Sequence, residues 1–234
     1  MSKLAVITGG TKGIGKAIAW RFARENFDLA LCARTRSDLE SASKEISSAF
    51  GVKVHTMVAD LSQPAQAKRF TDEVMALNRS VDVLVNNAGF FTPGEVLTEP
   101  EGALAKLVEA NVYSAYHTTR GLAPSMAAAK SGHIFSVCSI ASIKAYPNGG
   151  SYAISKFALL GLTKVLREEL KPKGVRVTAV IPGATLTDSW AGSGLPESRF
   201  MKPEDVAEAI YSAYSLSSHT VVEEIVLRPQ LGDI

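Results

Sequence analysis

"TGGTKGIGKAIAW", residues 8–20, decides the fold. It follows the short apolar block "KLAVIT" (3–8) and opens an amphipathic stretch, so Gly9, Gly13 and Gly15 fall on a strand-to-helix turn. Glycine permits positive φ and close backbone approach, and a helix starting here aims unpaired N–H groups and a positive dipole end at whatever lies in front of it. A pyrophosphate fits that description. The spacing departs from the common G-x-G-x-x-G fingerprint, because Ile18 stands in the third position after Gly13 and Gly15.

Outward from this turn, short apolar runs alternate with longer amphipathic segments, the pattern of repeated βαβ units around a parallel sheet. The other six runs are "LALCA" (29–33), "VKVHTMV" (52–58), "VDVLV" (81–85), "HIFSVC" (133–138), "VRVTAVI" (175–181) and "VEEIVL" (222–227). Helices are expected near 14–26, 36–50, 64–78, 100–130, 151–171 and 203–216. Pro64 and Pro203 suit first turns, while Pro172 and Gly174 make a stop. Neither a repeat nor a linker interrupts the series, so residues 1–234 are read as a single doubly wound α/β domain of Rossmann type.

Composition narrows the function. With 46% hydrophobic and 21% charged residues, a 234-residue chain can bury a substantial core. A net charge of +2, without a basic tail or an aromatic-studded basic patch, argues against a nucleic-acid partner. The block "LAVIT" is too brief for a signal peptide, so a cytoplasmic protein with no membrane partner is expected. Cys32 and Cys138 sit in apolar runs and read as inert buried thiols. The histidines at 55, 117, 133 and 219 lack ligand spacing, so no metal site is expected.

Doubly wound sheets bind ligands beyond the carboxyl ends of their strands, which directs attention to the residues after each run. Asp60 and Leu61 follow the third, where a carboxylate can accept an adenine amino group or cap the next helix. "NNAG" (86–89) follows the fourth, and asparagine in a turn usually serves the backbone. Ser139 follows the fifth, and thirteen residues later Tyr152 and Lys156 stand four apart, on one face of a helix. A cation beside a phenol favours the phenolate, bringing a group that titrates near about 10 toward neutral acid–base work.

Together, "TGGTKGIG", "NNAG", Asn111, Ser139, Tyr152 and Lys156 resemble the short-chain dehydrogenase/reductase family, and the likeness extends to "PGATLT" (182–187). The resemblance implies a seven-stranded parallel sheet of order 3-2-1-4-5-6-7 and hydride transfer between a nicotinamide cofactor and a carbonyl or alcohol. It implies that Gly9, Thr11, Lys12, Gly13, Ile14 and Gly15 form the phosphate turn, with Asp60 and Leu61 at the adenine. Asn87, Ala88 and Gly89 would approach the cofactor ribose. Pro182, Gly183 and Thr185 would line the nicotinamide, with Thr187 near its amide or the pyrophosphate. Tyr152 would be the general acid and Ser139 would hold the carbonyl oxygen. Lys156 would grip the nicotinamide ribose and bias the phenol, while Asn111 would support a proton relay. A non-catalytic NADP(H) sensor would be expected to have lost this set.

An acid usually ends the second strand of an NAD-binding chain, but here Ala33 is followed by Arg34. Asp28 lies at the wrong end of that strand, and Asp38 is expected to sit out of reach in the next helix. Arg34, with Lys12 opposite, can bind a 2′-phosphate, so the cofactor is expected to be NADP(H). The substrate, a small carbonyl compound, is expected against Ile140, Ala141, Tyr146 and Pro147. A cover formed by 187–201 would present Trp190, Leu195 and Phe200. Within the family the ending "VVEEIVLRPQLGDI" and the "TDSW" segment resemble the sepiapterin-reductase type, with 3-oxoacyl-[acyl-carrier-protein] reductase as the alternative. The helices at 100–130 and 151–171 resemble those through which family members pair, implying a homodimer or homotetramer.

Overall fold

The computed structural model describes residues 2–190 and 192–234. Seven strands, β1 (Leu4–Thr8), β2 (Asp28–Ala33), β3 (Val54–Val58), β4 (Val83–Asn86), β5 (His133–Val137), β6 (Arg176–Pro182) and β7 (Glu224–Leu227), form one sheet of order β3-β2-β1-β4-β5-β6-β7. Every pairing is parallel.

The near-continuous apolar strands are explained by burial on both faces. Ala5 and Ile7 of β1 face α1 (Gly13–Arg24), α2 (Arg36–Phe50) and α7 (Pro203–Ser215). Leu4 and Val6 face α3 (Pro64–Met75), α5 (Ser114–Ala128) and α6 (Gly150–Leu170). The period-2 alternation of side chains therefore feeds two cores from the same strand. The order reverses between β1 and β4, and the crevice beyond these carboxyl ends is where the glycine turn and "NNAG" meet.

One element differs from expectation. The segment 100–130 is not one helix: α4 (Ala103–Val108) passes through a π-helical turn (Glu109–Tyr113) into α5. A π turn adds a residue to one helical turn and so re-aims side chains. The residue it carries is Asn111, which is fully buried.

At the far, amino-terminal edge of the sheet, His133 is buried and stacked on Phe135 at 3.9 Å. Thr178 donates its hydroxyl proton to the Val222 carbonyl, so His133 Nε2, 2.7 Å from Thr178 Oγ1, must be the donor in that contact. Nδ1 is left buried and unpartnered. Burial, with the Arg176 charge in second place, pushes the imidazole down to about 2. Below pH 6.5 the unfolded chain therefore binds a proton that the fold refuses, and stability falls as pH falls. The expected loss is about 2 kcal/mol between pH 6.5 and 5, at about 1.4 kcal/mol per pH unit. Urea midpoints across that interval check it, and His133→Phe is expected to flatten the dependence.

Candidate active site

The glycine turn is built as the sequence requires. Gly9 and Gly13 have φ of 64° and 51°. A Cβ on Gly15 would lie 2.1 Å from the Gly9 carbonyl oxygen, so α1 packs too closely on the turn for any other residue. Lys12 precedes α1 without capping it through its side chain, leaving the first amides of a twelve-residue helix directed at the cleft. These are the features a pyrophosphate needs, and the residues fit a dinucleotide on that ground.

The adjoining strand ends hold the turn in place. Asn87 Nδ2 donates to the carbonyls of Thr8 (2.9 Å) and Gly9 (3.1 Å). Thr8 Oγ1 accepts the amides of Asn87 and Ala88, each at 2.9 Å. The asparagine thus serves the backbone of the phosphate turn as well as lining the cleft. Asp60 likewise spends Oδ1 on the Ser62 amide and hydroxyl while facing the cleft.

A single cleft of about 580 Å³ gathers Gly9, Thr11, Lys12, Gly13, Ile14, Gly15, Arg34, Asp60, Leu61, Asn87, Ala88 and Gly89 at one end. Pro182, Gly183, Thr185 and Thr187 follow along its floor. Ser139, Ile140, Ala141, Tyr146, Tyr152, Lys156 and Trp190 line the other end, and Pro147 does not reach it. Thr187 Cγ2 would be 3.0 Å from a Cβ on Gly13, which puts this side chain at the phosphate turn.

Two expectations require correction. Asp38 lines the cleft and pairs with Lys12 at 3.0 Å, because α2 begins at Arg36 and turns the acid of its first turn back toward the glycine loop. The contact raises the Lys12 ammonium. Second, of Trp190, Leu195 and Phe200 in the expected cover, Trp190 alone lines the cleft. Leu195 is exposed, and Phe200 packs on Trp190 at 5.3 Å. Main-chain bonds from Leu186 to Met201 and from Met201 to Ala184 close the base of this loop. Asn111, fully buried, lies behind the cleft wall. Its Oδ1 accepts the Phe90 amide (2.9 Å) while Nδ2 donates to the Phe90 carbonyl (3.2 Å) and to Ser155 Oγ (2.9 Å).

The titration of the pair also differs from a simple charge argument. Lys156 Nζ lies 5.8 Å from the Tyr152 ring and donates to the Val137 carbonyl at 3.0 Å. Burial pushes the Tyr152 phenol up, with the Ser139 hydroxyl pulling the other way, so desolvation outweighs any help from the lysine. The phenol is held as the acid. Lys156, buried on the same helix face, is pushed down to about 8.

Several lining residues carried no signal in the sequence. Phe91 meets Tyr152 edge-on at 4.8 Å and faces Trp190 at 6.5 Å with 23° between the rings. Its position just past "NNAG" was the only available hint. Lys144 and Asp233 also line the cleft and pair at 3.2 Å, because the chain after β7 turns back over the end that holds Ser139. Cys32 and Cys138 are free and buried, with thiols pushed up to about 12 and about 11 by burial. Among the described residues no helix is long and apolar enough to cross a membrane.

The short-chain dehydrogenase family model matches residues 3–197. Sepiapterin reductase of Chlorobaculum tepidum is 38% identical, covering 100% of this chain and 99% of the relative. A 3-oxoacyl-[acyl-carrier-protein] reductase of Thermotoga maritima is 31% identical, over 96% and 95%. The solved alcohol dehydrogenase of Thermococcus sibiricus, complexed with 5-hydroxy-NADP, superposes with a TM-score of 0.92 at 31% identity, over 100% and 99%. A model match across more than half the chain and full-length relatives above 30% identity agree with the sheet order and the glycine turn: the chain belongs to the short-chain dehydrogenase family.

Proposed function

We propose that the protein is an NADPH-dependent reductase of a small, flat carbonyl compound. The observation that carries this reading is the convergence of Ser139, Tyr152 and Lys156 on one end of a cleft whose other end is the glycine turn. When bound, the nicotinamide supplies the hydride. The protein's own residues do the rest. The turn and the α1 amides bind the pyrophosphate, and Arg34 takes the 2′-phosphate. Ser139 Oγ orients the substrate oxygen, and Tyr152 Oη gives it a proton as negative charge develops there. Lys156 holds the ribose hydroxyls, while Asn111 acts at one remove by fixing the Phe90 backbone and Ser155.

The flat-ring preference rests on Phe91 and Trp190. Their near-parallel faces stand close to the outer limit of direct aromatic pairing, so a small outward shift of either ring admits a conjugated ring at little cost in mutual contact. The 38% identity to a sepiapterin reductase supports a pteridine-like carbonyl over an extended thioester. Oxidation of NADPH with sepiapterin and with an acetoacetyl thioester, measured side by side, tests the choice. Turnover of sepiapterin is expected to be faster, and rapid turnover of the thioester alone would move the protein to the acyl-carrier reading.

Self-association is part of the same reading. Ile154, Phe157 and Val165 on α6, with Tyr113 at the end of the π turn and Tyr116 in the first turn of α5, are exposed apolar side chains on adjacent helices. A homodimer through this face is expected in sedimentation, with Phe157→Glu producing the monomer.

A further inference from the structure

The segment 87–102, between β4 and α4, is fastened to α6 at two points. The first is Asn111, which holds the Phe90 backbone and reaches Ser155, whose hydroxyl donates to the Tyr152 carbonyl at 2.7 Å. The second lies on the other side of Phe91. There the Gly94 amide donates to the Asn148 carbonyl at 3.1 Å, and Glu99 Oε1 accepts the Ser151 amide at 2.7 Å. Ser151 is in the first turn of α6, one residue before Tyr152.

The surroundings are shaped around that carboxylate. A Cβ on Gly150 would lie 1.9 Å from Glu99 Oε1, and one on Gly94 would lie 2.7 Å from Glu99 Cγ, so two glycines leave the room it occupies. Gly149, the residue before the helix, offers no side-chain cap. Glu99, 52 positions away in the chain, supplies the acceptor and a negative charge at the helix's positive end.

We propose that Glu99 is a positioning residue for proton transfer. Through the Ser151 amide it fixes the first turn of α6, and with it the placement of Tyr152 Oη against Ser139 and against the edge of Phe91. Nothing in the sequence marks this residue, because its partner is met only in three dimensions. The inference rests on the reading of Tyr152 as the proton donor, so the experiment separates the two.

Glu99→Leu, Glu99→Gln and Tyr152→Phe are to be compared in the full chain, with 9,10-phenanthrenequinone as a flat carbonyl probe and NADPH fluorescence reporting cofactor binding. Glu99→Leu is expected to lower kcat about tenfold while the NADPH Kd stays within about twofold. Glu99→Gln, whose side-chain carbonyl still accepts from Ser151, is expected to recover kcat to within about threefold of the parent. An unchanged kcat in Glu99→Leu beside an inactive Tyr152→Phe would overturn the positioning role and leave the proton donor standing. A Glu99→Gln protein as impaired as Glu99→Leu, with NADPH affinity lost in step, would overturn it as well, since a merely structural contact behaves that way. Should Glu99→Leu fail to fold, Glu99→Asp, one methylene short of Ser151, is expected to lower kcat at constant Kd, and parental kcat there would overturn the role. Full activity in Tyr152→Phe would remove both readings together.

Discussion

Tyr152→Phe is expected to lower kcat by about 10²- to 10⁴-fold, the range covered by a positioned general acid, with NADPH affinity nearly unchanged. The ring keeps its packing against Phe91, so only the proton donor is removed. Burial holds the phenol protonated, which is the form a reduction consumes, and the Ser139 hydroxyl beside it provides the second contact for the nascent alkoxide. Losing a donor that strengthens its bond only as charge develops costs kcat rather than ground-state binding. Single-turnover rates with pre-bound NADPH isolate the step. A variant that turns over at the parental rate would show that the proton comes from another group.

Kinetics with the two nicotinamide cofactors carry the next largest effect. NADPH is expected to exceed NADH in kcat/KM by about tenfold to a hundredfold, the equivalent of one charge-assisted contact of about 1.5–3 kcal/mol. Two cations, Lys12 and Arg34, line the glycine-turn end of the cleft, but they are not equal. Lys12 is already paired with Asp38, so a 2′-phosphate gains it only by displacing a carboxylate that also repels the phosphate. Arg34 is exposed at the rim and lines the cleft, and the preference is assigned to its guanidinium. Arg34→Ala is therefore expected to abolish most of the preference while leaving NADH kinetics intact. Asp38→Asn, which releases Lys12, is expected to raise it severalfold. Equal kcat/KM for the two cofactors in the parent protein would defeat the assignment, and added salt should narrow the gap because both charges are near solvent.

The strands were legible because a sheet covered on both faces leaves a clear record: runs such as "LAVIT" and "LALCA" contain at most one polar residue, and each became a strand within one or two positions. The helix starts at Pro64 and Pro203 were legible for a local reason as well, since a first turn needs no amide proton from its proline. The segment 100–130 was misread in its middle because a π turn has no composition of its own; what selects it is the pull of Phe90 and Ser155 on Asn111, contacts of 21 and 44 residues' separation.

By itself the sequence determined what depends on neighbours in the chain: the parallel α/β layering, the glycine turn with its amide-rich helix start, and the one-face spacing of Tyr152 and Lys156. The tertiary structure alone decided what depends on residues far apart in the chain. Asp38 neutralises Lys12, Phe91 faces Trp190 at one end of the cleft, Asp233 returns from the last strand to meet Lys144, and Glu99 grips the start of α6. The physical reason is the balance of burial against charge. Spacing places the lysine beside the phenol, but the depth of the surrounding wall, which no local pattern encodes, sets the protonation of both.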